Sequence, residues 1–389
     1  MVPNGWEVKS LSSITKWSSG GTPSKNNPDY WNGEIPWISA ASMRGHYFEK
    51  SELRITDLAV GNGAKMAPKD SLLLLVRGSM LWNKIPVGIT AKKVSFNQDV
   101  KCLVPHADEL TTEFLLYWFL TYEHRLMNMV TGTGIGAGKL DTSDLQSLDV
   151  FLPPLPEQRK IAQILSTWDR GIATTEKLID ASKQQKKALM QQLLTGKKRL
   201  IDPETGKAFE GDWEEVKLGD ISYVTTGNSN REDSSLDAEY TFFDRSEDIR
   251  KSSRYLFDSE AVIVAGEGQD FIPKYFKGKF DLHQRTYAIM NFEKSVGKFL
   301  YYYIGFTRHY FLSQAVGSTV KSLRLPMFQK MPIQLPSKDE QQKIASVLTA
   351  ADKDIELLEA KLAHFKQEKK ALMQQLLTGK RRVKVNEVA

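Results

Sequence analysis

Residues 186–197 read KKALMQQLLTGK, and residues 369–380 read KKALMQQLLTGK again. The two copies begin 183 positions apart (369 − 186), and this offset holds without a gap back to Pro153 and Pro336. About half of the positions from 153 to 197 are identical in the second copy. Such a match indicates an internal duplication, which has to be interpreted before any single motif.

Each copy predicts one long helix. Apolar residues recur at alternating steps of four and three, the heptad period of a coiled coil. In the second copy this seam consists of Ile344, Leu348, Ala351, Ile355, Leu358, Leu362, Phe365, Lys369, Leu372 and Leu376. Prolines prevent an earlier start, and Gly196 and Gly379 are expected to cap the helix ends. The predicted length is roughly 38 residues, or about 57 Å.

Two packing arrangements agree with this seam. The helices pair with each other in a two-stranded coiled coil, or each packs on its own domain as part of the core. A 3.5-residue period sustained over several heptads favours the coiled coil. The pattern leaves the choice between parallel and antiparallel helices open.

The segments outside the two copies predict two mixed α+β domains. Short strands are expected at 35–38, 71–77 and 261–265, and helices at 112–127 and 299–314. The openings of the two domains resemble each other, because Trp6-Glu7 is repeated as Trp213-Glu214. The predicted organisation is a first domain at 1–152, a helical segment at 153–200, a second domain at 201–335 and a second helical segment at 336–389.

Composition excludes several classes of protein. The 389 residues contain one cysteine, Cys102, and six scattered histidines, which excludes a disulfide framework and makes a structural metal site unexpected. A single cysteine suits a reducing cytosol. The opening residues 1–6 do not have the pattern of a secretion signal, and the longest apolar run, 72–76, is too short to span a bilayer. The net charge of +6 permits ordinary solubility or a polyanionic partner.

The motifs of common catalytic sites are incomplete. The glycine-rich stretch 132–139 resembles a phosphate-binding loop, but Thr133 and Leu140 stand where that motif needs Gly and Ser or Thr. No acid, base and cofactor cradle come together in the pattern. The chain is therefore predicted to be a non-enzyme, without catalytic residues, a metal or a cofactor of its own.

The opening and closing motifs of the two helices resemble those of a known family. The two helices open with LPPLPEQRKIA at 152–162 and LPSKDEQQKIA at 335–345, and both close with LLTGK. With the openings near Trp6 and Trp213 and the GGTPS at 20–24, this resembles the specificity (S) subunit of a type I restriction–modification system. The second domain departs from the pattern, because GTPS and Ile-Pro-Trp are missing there.

The resemblance implies a fold and a function. Two target recognition domains are separated by two long antiparallel helices that form a coiled coil, with a pseudo-twofold internal repeat. Each domain reads one half of a bipartite double-stranded DNA target. The helices set the gap and dock two methyltransferase (modification) subunits, either separate or fused to a nuclease, and restriction/translocase subunits join them. S-adenosylmethionine, ATP and Mg²⁺ are expected on those partners only, in a prokaryotic cytoplasm.

Base and phosphate recognition requires Arg, Lys, Asn, Gln and small polar residues. The candidates in the first domain are Lys25, Arg44, Arg77, Lys84, Lys92, Lys93, Gln98 and Lys139. The candidates in the second domain are Arg231, Arg245, Lys274, Lys277, Lys279, His283, Gln284, Arg285, Lys321 and Arg324. The turns 97–99 and 283–285 are favoured, together with the glycine-rich loops 134–139 and 317–321. For a single Lys or Arg, the competing interpretation is an ordinary solvated surface charge.

A second set of residues is expected to contact the modification subunits. These are Glu157, Gln158 and Ile161 in the first copy and Glu340, Gln341 and Ile344 in the second. The competing interpretation is helix capping, because an acidic residue is favourable in a first helical turn. Two rival functions stay open: a coiled-coil interaction scaffold without DNA, and an enzyme of unrecognised type.

The helix length also predicts a spacing. Half-sites read by two modules on one spacer lie near a helical turn of DNA apart, ~34 Å. A rod of about 57 Å is long enough for this distance. If the rod sets the unread gap, a helical turn inserted near Ser182 should change it.

Overall fold

The computed structural model describes residues 2–134, 136–246 and 248–385. Ile135, within the glycine-rich loop 134–139, lies outside the described residues. The α-helices are α1 (Thr112–Thr121), α2 (Glu123–Met127), α3 (Thr142–Gln146), α4 (Leu155–Leu193), α5 (Leu218–Ile221), α6 (Gly297–Phe306), α7 (His309–Gln314), α8 (Leu325–Gln329) and α9 (Lys338–Leu376). The long helices α4 and α9 contain 39 residues each, close to the predicted length.

The chain forms two compact units, and each long helix contributes to both of them. Unit 1 comprises the residues up to Thr175 and those from Lys361 onward, and unit 2 is Glu176–Ala360. Each unit therefore contains one mixed domain, part of α4 and part of α9. The predicted helical segments 153–200 and 336–389 contain the two long helices, whereas the units divide each helix near its middle.

The strands of unit 1 form two main sheets. The strands are β1 (Glu7–Ser10), β2 (Thr15–Ser19), β3 (Trp31–Ile38), β4 (Tyr47–Phe48), β5 (Arg54–Ile55), β6 (Lys65–Ala67), β7 (Leu72–Leu75), β8 (Arg77–Gly78), β9 (Val87–Thr90), β10 (Val94–Phe96), β11 (Val100–Pro105), β12 (Thr131–Gly132), β13 (Gly138–Lys139) and β14 (Asp149–Leu152). The sheet orders are β2-β11-β7-β9-β4 and β5-β3-β10-β6, with smaller sheets β12-β13-β8 and β1-β14. The apolar strand β7 is fully buried in the core of this unit.

Unit 2 has one larger sheet. Its strands are β15 (Glu214–Lys217), β16 (Tyr223–Thr226), β17 (Ser234–Ser235), β18 (Tyr240–Phe243), β19 (Arg250–Ser252), β20 (Phe257–Ala265), β21 (Glu267–Gly268), β22 (Lys274–Leu282), β23 (Thr286–Met290), β24 (Lys321–Ser322) and β25 (Pro332–Leu335). The sheet order is β16-β23-β20-β22-β18-β19-β17, with smaller sheets β21-β24 and β15-β25.

The duplication extends through both domains, although their sequences differ. The order β2-β11-β7-β9-β4 corresponds strand by strand to β16-β23-β20-β22-β18. In both sheets the last pair is parallel and the other three pairs are antiparallel. The opening strands also correspond, because β1 pairs with β14 and β15 pairs with β25. The predicted resemblance of the two openings therefore reflects a common position in the fold.

The long helices pack antiparallel within each unit. In unit 1 the Trp168 ring lies edge-on to Phe365 with 5.5 Å between centroids, and Asp169 pairs with Lys369. In unit 2 the side chains of Lys186 and Asp352 form an ion pair, so higher numbers on α4 meet lower numbers on α9. This confirms the antiparallel coiled coil. The other expected arrangement, in which the helices pack on the domains as part of their cores, is also partly present, because the ends of both helices enter the domain cores.

The two helix ends match the predicted caps. Gly196 and Gly379 have φ values of 68° and 69°, which glycine adopts without a Cβ penalty. The amide N of Lys198 donates to the carbonyl O of Gln192 at 3.1 Å, and Arg381 donates to Gln375 at the same distance. These bonds satisfy carbonyls that the helix leaves free.

Two predicted helices are wrong in extent. The stretches 112–127 and 299–314 are each divided into two helices, because Tyr122 and Thr307 have ψ values of 12° and 16° rather than helical ones. α1 is also buried on nearly every side, from Phe114 to Phe119. A helix that is apolar all round carries no periodic signal from which its end can be predicted.

One trio of side chains around a buried carboxylate recurs in both units. In unit 1 the Glu157 carboxylate accepts hydrogen bonds from Trp6 Nε1 at 3.2 Å and from two nitrogens of Arg382 at 2.7 Å. In unit 2 Glu340 accepts the same bonds from Trp213 at 3.2 Å and from Arg199 at 2.7 Å. Each trio joins the opening of a domain, the start of one long helix and the segment after the end of the other.

Removing the charge of the Glu340 carboxylate should lower the stability of unit 2. Glu340 is fully buried, and Glu340→Gln weakens its charge-assisted bonds, so we expect a loss of about 1.5–3 kcal/mol in the free energy of unfolding. The matched control is Glu359→Gln, on the same helix, where a 48% exposed carboxylate meets Lys183. This control should cost about 0–1 kcal/mol. Urea unfolding followed by tryptophan fluorescence compares the variants, and equal midpoints would contradict the anchoring role.

Candidate nucleic-acid interface

One edge of the first domain brings several candidate residues together. The backbone N of Val76, directly after β7, donates to the O of Asp99 at 2.8 Å, and the N of Leu140 donates to the O of Val76 at 2.9 Å. The turn 97–99 and the loop strand β13 therefore meet at the end of β7. Arg77 lies opposite Lys139 in the β8–β13 pair. We define the first rim as Arg77, Gln98 and Lys139.

The second domain has the same construction. The N of Gly266, directly after β20, donates to the O of Arg285 at 2.8 Å, and the N of Leu323 donates to the O of Gly266 at 2.8 Å. The turn 283–285 and the loop strand β24 meet at this edge, as β21 pairs with β24. We define the second rim as Arg231, Arg245, His283, Gln284, Arg285 and Lys321.

The two favoured turns thus occupy equivalent positions. Both turns directly precede the strand next to the edge strand, β11 in the first domain and β23 in the second. The rim side chains are exposed except for His283, which is half-buried. Gln98 accepts from the hydroxyl of Thr22, and Gln284 Nε2 donates to Asn230 Oδ1 at 2.6 Å.

Other candidates lie away from the rims. Lys277 and Lys279 stand opposite Glu260 and Asp258 along the β20–β22 pair, and the Lys279 ammonium lies 4.7 Å from the Tyr255 ring centroid. Lys274 is beside the second rim, with its Nζ donating to Ser246 O at 2.7 Å. The remaining candidates are exposed at other turns or, for Arg324, next to β24: Lys25, Arg44, Lys84, Lys92, Lys93 and Arg324.

The glycine-rich loop of the first domain is a hairpin tip. It connects β12 and β13, and Thr133 donates to Ala137 O through its backbone N at 3.0 Å and its hydroxyl at 2.9 Å. Trp82 Nε1 donates to Gly136 O at 3.1 Å. Lys139 forms a 3.3 Å ion pair with Asp141, so the lysine is held at the base of the loop.

Carboxylates organise the second rim. Glu267 meets Arg245 at 3.0 Å and also pairs with Arg285. Arg231 lies 3.5 Å from the buried Asp244. Burial raises the pKa of Asp244, but hydrogen bonds from Ser246 and the charge of Arg231 outweigh it and hold that pKa below its ordinary value. Asp244 is therefore charged at neutral pH.

His283 is held in its neutral form by its surroundings. Burial lowers its pKa from the ordinary 6.5, and the charges of Arg245 and Arg285 lower it further, while Asp244 partly opposes them. The backbone N of Arg285 donates to His283 Nδ1 at 3.0 Å. The neutral ring therefore carries its proton on Nε2, which makes that nitrogen a hydrogen-bond donor.

Comparison with known proteins decides the family. The model of the type I restriction modification DNA specificity domain matches residues 3–184 and 210–367. The two matches cover most of the chain and contain both rims. The chain belongs to this family of DNA specificity proteins. The resemblance seen in the sequence is confirmed, and DNA sequence specificity in a restriction–modification complex is favoured over a scaffold without DNA.

Individual relatives agree with this assignment. The type I restriction enzyme MjaVIII specificity subunit of Methanocaldococcus jannaschii is 27% identical over 420 residues, covering 98% of this chain and 94% of that protein. The EcoR124I/EcoR124II specificity subunit of Escherichia coli is 33% identical over 165 residues, covering 42% of this chain and 41% of that protein. The crystal structure of the S subunit of a type I restriction-modification system from M. genitalium superposes with a TM-score of 0.64 at 17% identity, covering 97% of this chain and 99% of that one. This structural similarity shows the fold.

The six residues expected to contact modification subunits have roles inside this specificity protein. Glu157, Gln158, Ile161, Glu340, Gln341 and Ile344 are all buried. Gln158 accepts from the N of Thr111 and donates to Glu109 O, and Gln341 accepts from the N of Val296. Each glutamine joins the start of a long helix to the residue that precedes a helix of its own domain, α1 for Gln158 and α6 for Gln341. A contact with modification subunits stays a prediction for these six residues.

Sequence reasoning missed one network next to the second rim. The carboxylate of Asp281, fully buried, accepts from the hydroxyls of Ser229 and Ser252 at 2.7–2.8 Å and lies 3.7 Å from Arg254. Arg254 Nη2 also donates to the Ser229 hydroxyl at 2.7 Å. No sequence motif predicts this arrangement, because its residues lie on separate strands and turns.

Two further findings concern the described part of the chain. Among residues 2–134, 136–246 and 248–385, no group of three or more His, Cys, Asp or Glu side chains is arranged to hold a metal ion. Within the same ranges, no helix is both long and apolar enough to cross a membrane.

The His283 environment predicts an acid sensitivity. Because the folded chain binds this proton at lower pH than the unfolded chain, the contribution of His283 to stability is present above pH ~6.5 and is lost as the pH falls through the folded pKa. His283→Gln should therefore reduce the loss of stability on acidification. Urea midpoints between about pH 7.5 and 5.5 measure the slope, and NMR titration of the His283 ring measures its pKa. An unchanged slope, or a pKa above the ordinary value, would contradict the assignment.

Proposed function

We propose that this chain is the sequence-specificity subunit of a type I restriction–modification complex, in which each domain reads one half of a bipartite duplex DNA target through its rim. The observation that carries the proposal is the pair of equivalent rims. Exposed basic and amide side chains stand at the same topological position in two domains whose sequences differ. Different half-sites require such an arrangement, with one frame and two sets of reading residues.

The residue types at the rims suit duplex DNA. Arginine pairs in a bidentate manner with guanine, and glutamine with adenine, in the major groove. Lys139 and Lys321 lie on the loop strands β13 and β24, where a lysine beside a glycine-rich hairpin suits a phosphate contact. Phosphate contacts release counterions, so binding should weaken steeply as salt rises.

In this proposal the partner subunits carry out methylation, translocation and cleavage. Two modification subunits dock on the helical segments and methylate adenine with S-adenosylmethionine, and restriction/translocase subunits use ATP and Mg²⁺ for translocation and cleavage. The specificity subunit contributes recognition and no chemistry of its own.

Methylome mapping tests the proposal. The chain is co-expressed with the methyltransferase encoded beside it in a host free of methylation, and the modified adenines of the host DNA are located. We expect one bipartite motif with a fixed gap that is absent when the chain is omitted. A motif that persists without the chain, or no motif despite a folded complex, would overturn the assignment.

Substitution in one rim should alter one half of that motif. Arg77→Ala removes an exposed cation of the first rim, and we expect discrimination at one base pair of one half-site to fall about 5- to 150-fold. The matched control is Lys69→Ala, which removes an exposed cation of the same domain that pairs with Asp70. The control should leave the motif unchanged. Relaxation in both halves, or in neither, would argue against separate reading by the two domains.

The helix length should set the gap. One heptad inserted after Ser182 together with one after Glu359 keeps the seam and the Lys183–Glu359 pair, and lengthens the helical segments by about 10.5 Å. At ~3.4 Å per base pair, the gap should widen by about three base pairs. A control that replaces seven residues without changing the length should keep the original gap. A gap that stays constant after the double insertion would contradict the idea.

A further inference from the structure

The arginines of the second domain are anchored by carboxylates in an unusual way. Three acidic side chains with exposed fractions of 0%, 2% and 12% each meet arginines that are 50–61% exposed. The pairs are Arg231 with Asp244, Arg254 with Asp281, and both Arg245 and Arg285 with Glu267. Each guanidinium thus has one side fixed by the protein and another side facing solvent.

These pairs form one continuous surface. Ser229 connects Arg254 to the turn 283–285, because its hydroxyl accepts from Arg254 and its backbone O accepts from the N of Gln284 at 3.0 Å. The backbone N of His283 donates to Phe243 O at 2.9 Å, which places this turn beside Asp244 and Arg245. The segments that carry these arginines are therefore hydrogen-bonded to the turn 283–285 or lie next to residues that are.

Glu267 is the centre of the arrangement. Its Oε2 accepts from Arg245 Nη1 at 3.0 Å, and its Oε1 accepts from Arg285 Nη1. The carboxylate therefore holds two guanidinium groups through one nitrogen each, and among the described residues no hydrogen bond engages Nη2 or Nε of either arginine. Two arginines and one glutamate carry a single net positive charge, so the cluster adds little to non-specific attraction. Its advantage is geometric, because held side chains lose less entropy when they bind.

The first rim differs in how its arginine is held. The position equivalent to Glu267 is Arg77, two residues after the end of the corresponding strand and opposite Lys139. Among the residues that the structure describes, no carboxylate lies within ion-pair distance of Arg77. The two domains therefore differ in how their arginines are prepared for a ligand.

We propose that Glu267 positions Arg245 and Arg285 to read guanine in the half-site of the second domain. Guanine presents two acceptors, O6 and N7, to the major groove, and the planar fork of an arginine matches both. Glu267 acts through the arginines and is a positioning residue. The inference rests on the proposed function, since it names the base that this rim recognises.

The test uses the assembled methyltransferase complex and the same methylome readout. Glu267→Gln, Arg285→Lys and Arg245→Lys are compared with two controls on the second domain, Glu260→Gln and Arg308→Lys. Glu260 accepts a hydrogen bond from the Tyr275 hydroxyl at 2.8 Å and lies on β20, which leads to β21, and Arg308 precedes α7. Thermal melting of each purified variant establishes that the chain is folded.

We expect the three rim variants to lose discrimination at G·C pairs of one half-site by about 5- to 150-fold, while the other half-site stays strict. Glu267→Gln should relax the same positions as the two arginine variants, and both controls should keep the full motif. A uniform decrease of methylation with unchanged base preference would overturn the inference, because it would indicate phosphate contacts. Relaxation only at A·T pairs would overturn it too. If wild-type methylation did not depend on this chain, the proposed function itself would fail instead.

Discussion

A buried carboxylate in the first turn of each long helix determines how the rest of this protein is assembled. Glu157 and Glu340 each bind a tryptophan from the opening of a domain and an arginine from beyond the end of the other long helix. An unpaired buried carboxylate is costly, so each glutamate requires its partners. Each unit is therefore complete only when segments far apart in the chain meet, and neither copy of the repeat forms a unit alone.

This constraint links two duplicated segments that are alike to two domains whose sequences differ. Residues of both helices enter both domain cores, so a change in one copy affects two units. The strand order common to the two sheets carries the turns 97–99 and 283–285 to equivalent edges. Gln98, Gln284 and Arg285 on those edges are exposed, so they can change at little cost in stability. Under the proposed function, specificity can vary at these positions while the frame that presents them stays the same.

The sequence predictions were accurate for features that depend on neighbouring residues and failed for features that depend on contacts between distant segments. The long helices and their glycine caps were predicted correctly, because the heptad period and capping depend on residues a few positions apart. A role of the turns 97–99 and 283–285 in DNA recognition stays a prediction. The stretches 112–127 and 299–314 were each predicted as one helix where the structure has two, since buried apolar runs conceal the break between them. The partner-contact interpretation of Glu157 and Gln341 did not foresee their burial, which depends on segments more than 40 residues away.

The sequence by itself determined the duplication, the two long helices, the mixed class of the domains and the family. These properties can be predicted from the periodicity of apolar residues and from the repeated residues. Only the tertiary structure decided that the helices are antiparallel within each unit, that the two sheets have one strand order, and that Glu267 holds two arginines. Arg245 and Arg285 lie 22 and 18 residues from that glutamate and reach it from different turns. A contact of that kind exists only after the strands have paired, because the sheet order and not the chain brings its members together.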